Sequence, residues 1–330
     1  MLTFYSAAGT GEIAVDLGGS TLPPATIWID AKSPDDAERD YILRATGIEA
    51  PTRDELQAIE ASSRLSVADG VLYLSATALV GVRQGDPHTT PLGLVLKHDL
   101  LVSVRFEELP ALSSFVDHLK CPTRPAPCAD AFLAGMLDAI VDRAADRLEQ
   151  LGAELDSVSH RVFHAQAANS GGVAAPRPEE ENLRQTLRQI GRAGDLTAKI
   201  REVLLGLGRI VPYIEAHAGP RIPPEVTPHF VSLRHDIHSL NDYGTSLTNQ
   251  TQFLLDATLG LINIQQNNII KVLTVVSVVG VPPTFLASMY GMNFKGIPEY
   301  DWSWGYPYAL SMMLVSAVGP YLWFKFKGWL

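Results

Sequence analysis

Nineteen consecutive residues without a charge, residues 272–290 (VLTVVSVVGVPPTFLASMY), constrain this chain more than anything else in it. A helix needs about 18 or more mostly apolar residues to cross the hydrocarbon layer of a bilayer. A second uncharged stretch, residues 302–324, follows after a connection of eleven residues. Two spans so close in sequence predict a helical hairpin that crosses the membrane and returns. Everything before it is then hung from that hairpin.

The first span is not uniformly apolar. Steps of three and four residues, taken alternately, give Asp256, Gly260, Asn263, Asn267, Ile270, Thr274, Ser277, Val281, Thr284 and Ser288. That is the seam of a helix with a 3.5-residue period. Eight of these ten residues are small or polar, while Leu, Ile, Val and Phe fill positions between them. Lipid offers polar side chains no hydrogen-bond partner, so at bilayer depth they face protein or a water-filled cavity. One helix encloses no cavity, and a pore therefore requires several copies. The alternative is a packing seam of small residues, with Ser and Thr bonded back to their own helix. Asp256, Asn263 and Asn267, just inside the entrance, favour the pore.

Charge sets the orientation. Lys271 precedes the first span and Lys325 and Lys327 follow the second, whereas the connection carries Lys295 with Glu299 and Asp301. Basic flanks stay on the cytoplasmic side, which places both termini there. Trp302, Trp304, Tyr306 and Tyr308 mark the outer boundary, and Tyr321, Trp323 and Trp329 the inner one. Pro282-Pro283 frees a backbone carbonyl within the first span and predicts a bend there.

No proline lies between Pro228 and Pro282, so residues from about 225 to 290 can form one helix of roughly 100 Å at 1.5 Å per residue. Before it, residues 129–166 repeat apolar side chains by threes and fours, and Glu179-Glu180-Glu181 opens a second helix where acidic residues suit the positive end of the helix dipole. Pro212 and the prolines at 220–224 interrupt that helix. Residues 1 to about 110 read as mixed α/β, with β-rich runs at 26–30, 71–78, 92–98 and 100–106. Ser33 before Pro34 predicts one helix start, and the capping box Thr52-x-x-Glu55 another. Gly9-x-Gly11 and Gly18-Gly19 are followed by no phosphate-loop pattern and read as hairpin or loop glycines.

Several function classes lose support. A formal net charge of −10 argues against a nucleic-acid partner and suits a protein that attracts cations. Cys121 and Cys128 form no Cys-x-x-Cys and no disulfide framework. The N-terminal residues lack a basic segment followed by an apolar run, so no signal peptide is expected. His160 and His164 share the four-residue spacing of metal ligands without a completing carboxylate, and read as a solvated face, as do His229, His235 and His238. No nucleophile stands at an informative distance from a base, so enzyme chemistry has no support.

Tyr290-Gly291-Met292-Asn293-Phe294 closes the first span, and on this motif the chain resembles the CorA divalent-cation channels, whose signature is Gly-Met-Asn. The likeness continues through residues 271–274, 283–285, 297–299 and 304–307, and through Lys327-Gly328-Trp329-Leu330. It is close over about the last 75 residues and otherwise one of layout. The resemblance implies an α/β cytoplasmic domain (1–128), a cytoplasmic helical hairpin (129–222), the cytoplasmic part of a long stalk helix (223–271) and a transmembrane hairpin (272–330). It implies a funnel-shaped homopentamer in the inner membrane that moves Mg2+, with Co2+ and Ni2+ as further candidates, into the cytoplasm without a cofactor.

Mg2+ dehydrates reluctantly, so a selectivity site for it should offer neutral oxygens to the hydrated ion. Asn293 fits that task, with Gly291 allowing the turn and Tyr290 and Met292 behind it. Glu299 and Asp301 would concentrate cations at the outer mouth. Thr284, Ser277, Thr274, Asn267 and Asn263 would line the path, Ile270, Leu273 and Val281 would form closing apolar rings, and Asp256 would gather cations below. The family closes on internal Mg2+ through interfacial carboxylates; Ser232 stands at one matching position, leaving Asp236 and Asp242 as the regulatory candidates and weakened regulation as the expectation. Two alternatives stand beside this: zinc uptake, possible with proton coupling, as in the ZntB branch, which departs from the Gly-Met-Asn triplet; and a membrane-anchored sensor or scaffold, which needs no polar seam.

Overall fold

The hydrophobic period switches between two and about 3.6 along the first 119 residues, and strands and helices follow it. The computed structural model describes residues 1–6, 9–11, 21–58, 64–82, 85–119, 128–168, 179–218, 221–292 and 302–329. It divides into two compact units, Met1–Ala175 with Gln185–Leu255, and Pro176–Arg184 with Asp256–Leu330.

The first unit holds a seven-stranded sheet. Its strands are β1 (Leu2–Ser6), β2 (Gly9–Gly11), β3 (Thr26–Lys32), β4 (Leu65–Ala68), β5 (Val71–Val80), β6 (His88–Lys97) and β7 (Leu100–Arg105). The order is β2-β1-β3-β7-β6-β5-β4. All neighbours are antiparallel except β3 and β7, which pair in parallel with Asp30 opposite Ser103. Gly9 and Gly11 sit in the β1–β2 pair, as hairpin glycines should. Gly18, Gly19 and Cys121 lie outside the described residues.

Both faces of the sheet are covered, and side chains alternate between them. Leu72, Leu74, Ala76, Leu92, Leu94, Leu96, Leu101 and Trp28 enter one core; Ile29, Ala31, Val71, Val95, Val102 and Val104 enter the other. The second core is closed by Tyr41, Ile42 and Leu56 from α1 (Asp36–Thr46) and α2 (Arg53–Leu56). Asp35, not Ser33, caps α1: Glu38 N donates to Asp35 Oδ1 at 2.8 Å, and Asp35 N donates to Glu38 Oε2 at 3.2 Å. A reciprocal box satisfies two orphan N–H groups where a lone serine satisfies one. The box at Thr52 and Glu55 forms as expected.

A chain of hydrogen bonds ties the parallel pair together. Trp28 Nε1 donates to Ser103 Oγ at 2.9 Å, Ser103 Oγ donates to Asp30 Oδ1 at 2.8 Å, and Arg105 reaches both Asp30 oxygens at 2.8–3.1 Å. Asp30 is 3% exposed, so the carboxylate is viable there only because the guanidinium and hydroxyl replace its water.

The first core also takes residues from α3 (Pro110–Leu119), α4 (Ala129–Ala168), α5 (Glu179–Ala218) and the start of α6 (Thr227–Tyr290). Ile140 and Ala144 of α4 line one small apolar cavity with Ile200 and Val203 of α5, whereas Arg161 of α4 donates to Gln189 of α5 at 2.6 Å. Early residues of one thus meet late residues of the other, and α4 and α5 are antiparallel. Gln250 of α6 donates to Asp156 of α4 at 2.9 Å, and Arg234 pairs with Glu215 of α5 at 2.7 Å. Gly152 of α4 lies against the Tyr243 phenol of α6, where an added Cβ would come within 2.3 Å of the oxygen. Contrary to the sequence reading, α5 runs through Pro212 to Ala218. Pro212 is exposed, so the interrupted step of the ladder lies on the solvent side.

The second unit contains the C-terminal part of α6 and α7 (Gly305–Phe326). α6 has 64 residues, which at 1.5 Å per residue makes about 96 Å. Its best apolar window and that of α7 have mean hydropathies of 1.9 and 1.3, and only 6% of each window is buried. A core helix of a soluble protein would be buried over such a window; these two are long and apolar enough to cross a membrane.

Asp30→Ala leaves the Arg105 guanidinium buried without its carboxylate, and should destabilise the first unit by about 3–5 kcal/mol. Thermal unfolding of the full chain checks this, and Asp30→Ala with Arg105→Leu, which removes both charges, should lose clearly less.

Candidate ion pathway

Every residue of the predicted seam lies on α6, and the helix is continuous from Thr227 to Tyr290, through Pro282 and Pro283. Asp256, Gly260, Asn263, Asn267, Ile270, Ser277, Val281, Thr284 and Ser288 are exposed, and Thr274 is half-buried. Leu273 and Ile270 are 67% and 60% exposed. The ladder of N–H donors breaks at the two prolines, which frees the carbonyls four residues earlier, at Val278 and Val279.

Two seam hydroxyls are engaged with their own helix. Thr274 Oγ1 donates to Ile270 O at 2.8 Å, and Thr284 Oγ1 lies 3.1 Å from Gly280 O and 2.8 Å from Val281 O. A threonine that spends its proton on the backbone keeps only lone pairs for anything outside the helix. At these two positions the seam accepts hydrogen bonds and does not donate them. Water bound to a cation directs its hydrogens outward, and such acceptors are complementary to that shell. The same back-bonds also serve a packing seam.

At its C-terminal end α6 closes through Gly291, whose N–H donates to Ala287 O at 2.9 Å, and Met292, whose N–H reaches Met289 O at 3.4 Å. A Cβ at Gly291 would stand 3.2 Å from the Ala287 oxygen and 3.4 Å from that of Ser288, so this glycine allows close approach of carbonyls. Met292 is 47% exposed and Tyr290 half-buried. Asn293, Glu299 and Asp301 lie outside the described residues.

In the first unit, Asp236 and Asp242 are exposed on α6. Asp242 Oδ2 lies 3.1 Å from His238 Nδ1, and Asp236 accepts from Ser232 Oγ at 3.4 Å. Both pairs are solvated and contribute little stability. The sequence reading missed the acidic neighbours of Asp236 on α4, Asp138, Asp142 and Asp146. Their four-residue spacing puts them on one face, and that spacing was the available signal. Partial desolvation, then the charges of Asp138, Asp146 and Asp236, raise the Asp142 pKa above its ordinary value, opposed by His118. Among the described residues no group of three or more His, Cys, Asp or Glu could hold a metal ion, so this is an acidic face and not a formed chelate.

A carboxyl whose pKa is higher in the folded state destabilises the fold above that pKa, and the penalty fades as pH falls towards the unfolded value. Asp142→Asn should therefore stabilise the chain at pH 7, by about 0.5–1 kcal/mol for two relieved like-charge pairs. The gain should vanish near pH 4, as thermal unfolding across that range would reveal.

Similarity to known proteins follows the same layout. The magnesium transport protein CorA of Yersinia pseudotuberculosis is 30% identical over 330 residues, covering 100% of both chains. That of Escherichia coli K12 is 30% identical over 304 residues, or 92% of each chain. The complete structure of the CorA magnesium transporter from Methanocaldococcus jannaschii superposes with a TM-score of 0.73 at 19% identity, covering 100% of this chain and 99% of that one, a likeness of fold. The model of the CorA-like Mg2+ transporter protein family matches residues 24–325, and with the full-length relatives it establishes that the chain belongs to that family.

Proposed function

We propose that this chain forms a homo-oligomer, five copies around one axis, that conducts Mg2+ across the inner membrane into the cytoplasm. The observation that carries this reading is the acceptor-rich stripe on α6, exposed on a helix whose apolar window is 6% buried. A polar stripe on a membrane helix needs a polar neighbour, and symmetric copies of the same stripe supply one around water. The relatives, which match over 92–100% of the chain and are magnesium transport proteins, support the choice of ion. Both termini are cytoplasmic in this reading, and no cofactor takes part.

Each residue keeps the role its chemistry suits. Asn293 offers a neutral carboxamide oxygen to the hydrated ion, and Glu299 and Asp301 concentrate cations at the outer mouth. Asn263, Asn267, Thr274, Ser277 and Thr284 accept hydrogen bonds from its water shell. Ile270, Leu273 and Val281 close the path by dewetting, and Asp256 draws the ion onward. Asp236, with Asp242 and the acidic face of α4, is where internal Mg2+ acts. An exposed set of carboxylates without a chelate binds loosely, so closure by internal Mg2+ is weak: a ligand shifts an equilibrium only by its differential affinity.

Mg2+ flux into liposomes tests the reading. Asn293→Ala should reduce it about tenfold or more, the equivalent of losing one hydrogen bond to a charged group at about 1.5–3 kcal/mol. Flux and selectivity equal to the parent would remove Asn293 from the selectivity site. Leu273→Asn should raise the resting leak; a leak no greater than the parent's would place the gate elsewhere.

A further inference from the structure

We propose that the last turn of α7, seated by Trp323 and Trp329, binds anionic phospholipid by its phosphate, through the ammonium groups of Lys327 and Lys325. The proposal rests on the reading that α6 and α7 cross the bilayer, and adds a partner to it.

The chain does not simply end its helix here; it folds back on it. Gly328 has φ 72°, Trp329 N donates to Phe324 O at 3.0 Å, and Gly328 N donates to Lys325 O at 3.2 Å. These two bonds and the left-handed glycine define a Schellman motif. Its customary apolar contact is present too: the Trp329 ring stacks on Phe324, with centroids 5.4 Å apart and planes 30° apart. Trp323 meets the same Phe324 ring edge-on at 5.1 Å. Phe324 is 4% exposed, so two tryptophans are anchored to one buried ring while each stays largely exposed.

Trp and Tyr favour the headgroup level, where an apolar body and a polar edge are both satisfied. The pair therefore sets the depth of this turn. Lys327 Nζ lies over the Trp323 ring, 5.8 Å from its centroid, which steers that ammonium along the aromatic surface. Lys325 is exposed as well, two residues earlier and so on another side of the turn. Residues 302–330 contain no acidic side chain, so no side chain of α7 or of the turn after it neutralises either lysine. A helix C-terminus carries partial negative charge that would repel a phosphate. Here the carbonyls of Trp323, Phe324 and Lys325 already accept from Lys327, Trp329 and Gly328, which leaves the two ammonium groups to set the local potential. Exposed lysines at headgroup depth are complementary to the phosphates of anionic lipids.

The full chain, reconstituted in phosphatidylcholine vesicles with trace spin-labelled lipid, provides the test. Electron spin resonance measures the lipid held at the protein surface. Labelled phosphatidylglycerol should be enriched there over labelled phosphatidylcholine, by at most roughly fivefold per lysine, and less as salt rises. Lys325→Gln with Lys327→Gln should bring the ratio to one. Gly328→Val retains both charges but strains the left-handed turn, and should lower the ratio. Equal retention of the two lipids by the parent, or an unchanged ratio in the double variant, overturns the site; an unchanged ratio in Gly328→Val removes the turn from it. Inorganic phosphate that abolishes the enrichment where chloride of equal ionic strength does not would assign the lysines to a free anion instead. No surface-held lipid of either kind would overturn the membrane-spanning reading and this site with it.

Discussion

Hydrocarbon gives no hydrogen bond to a peptide group, and much of this architecture follows from that. An apolar stretch in lipid must close its own backbone ladder, which makes the C-terminal part of α6 a helix whatever its β-branched residues would prefer elsewhere. Of the nineteen residues at 272–290, six are valine and two are threonine, a composition typical of strands in water. The helix nevertheless runs to Tyr290. The same constraint makes its polar seam informative. Water would mask a serine or threonine on a soluble helix, whereas lipid leaves it needing a partner.

The first unit solves the converse problem, that of burying charge. Asp30 and Arg105 occupy the one parallel pairing among the described strands, between strands about seventy residues apart. A parallel pair cannot be closed by a short hairpin. A side-chain chain from Trp28 through Ser103 to Arg105 ties it across the strands, and a one-residue slip would turn Asp30 into the opposite, apolar core. Buried ion pairs are modest sources of stability; as a device for fixing register this one has a clear physical use.

How much could be read in advance varied with the kind of signal. The four longest strands, the long helices and the two apolar spans announce themselves through periodicity and length. β1, β2 and β4 do not: LTFYS, GTG and LSVA are short, and their strand character comes from pairing with neighbours that periodicity cannot see. Pro212 misled because a proline removes one hydrogen bond, which a forty-residue helix tolerates on its exposed side. In the candidate pathway, the seam on α6 was visible as a repeat along one helix. The acidic face was not, since it joins Asp236 to three aspartates on another helix some ninety residues earlier.

In the proposed conduit the seam and the acidic face would attract the same ion in two ways. Carboxylates act at a distance, and their pull is screened by salt and weakened by desolvation and by crowding, which together raise the pKa of Asp142. Hydroxyls and carboxamides act only on contact but carry no net charge to hold an ion fast. A conduit for a strongly hydrated dication needs the first kind where ions are gathered and the second where they must keep moving. Along α6 the division is spatial: from Ala257 to Tyr290 there is no acidic residue, and the seam's oxygens belong to Asn, Thr and Ser. Threonines that donate inward to Ile270, Gly280 and Val281 carry that logic furthest, since they present oxygen without a competing proton. An ion that keeps its water can then exchange one weak acceptor for the next without ever meeting a site deep enough to stop it.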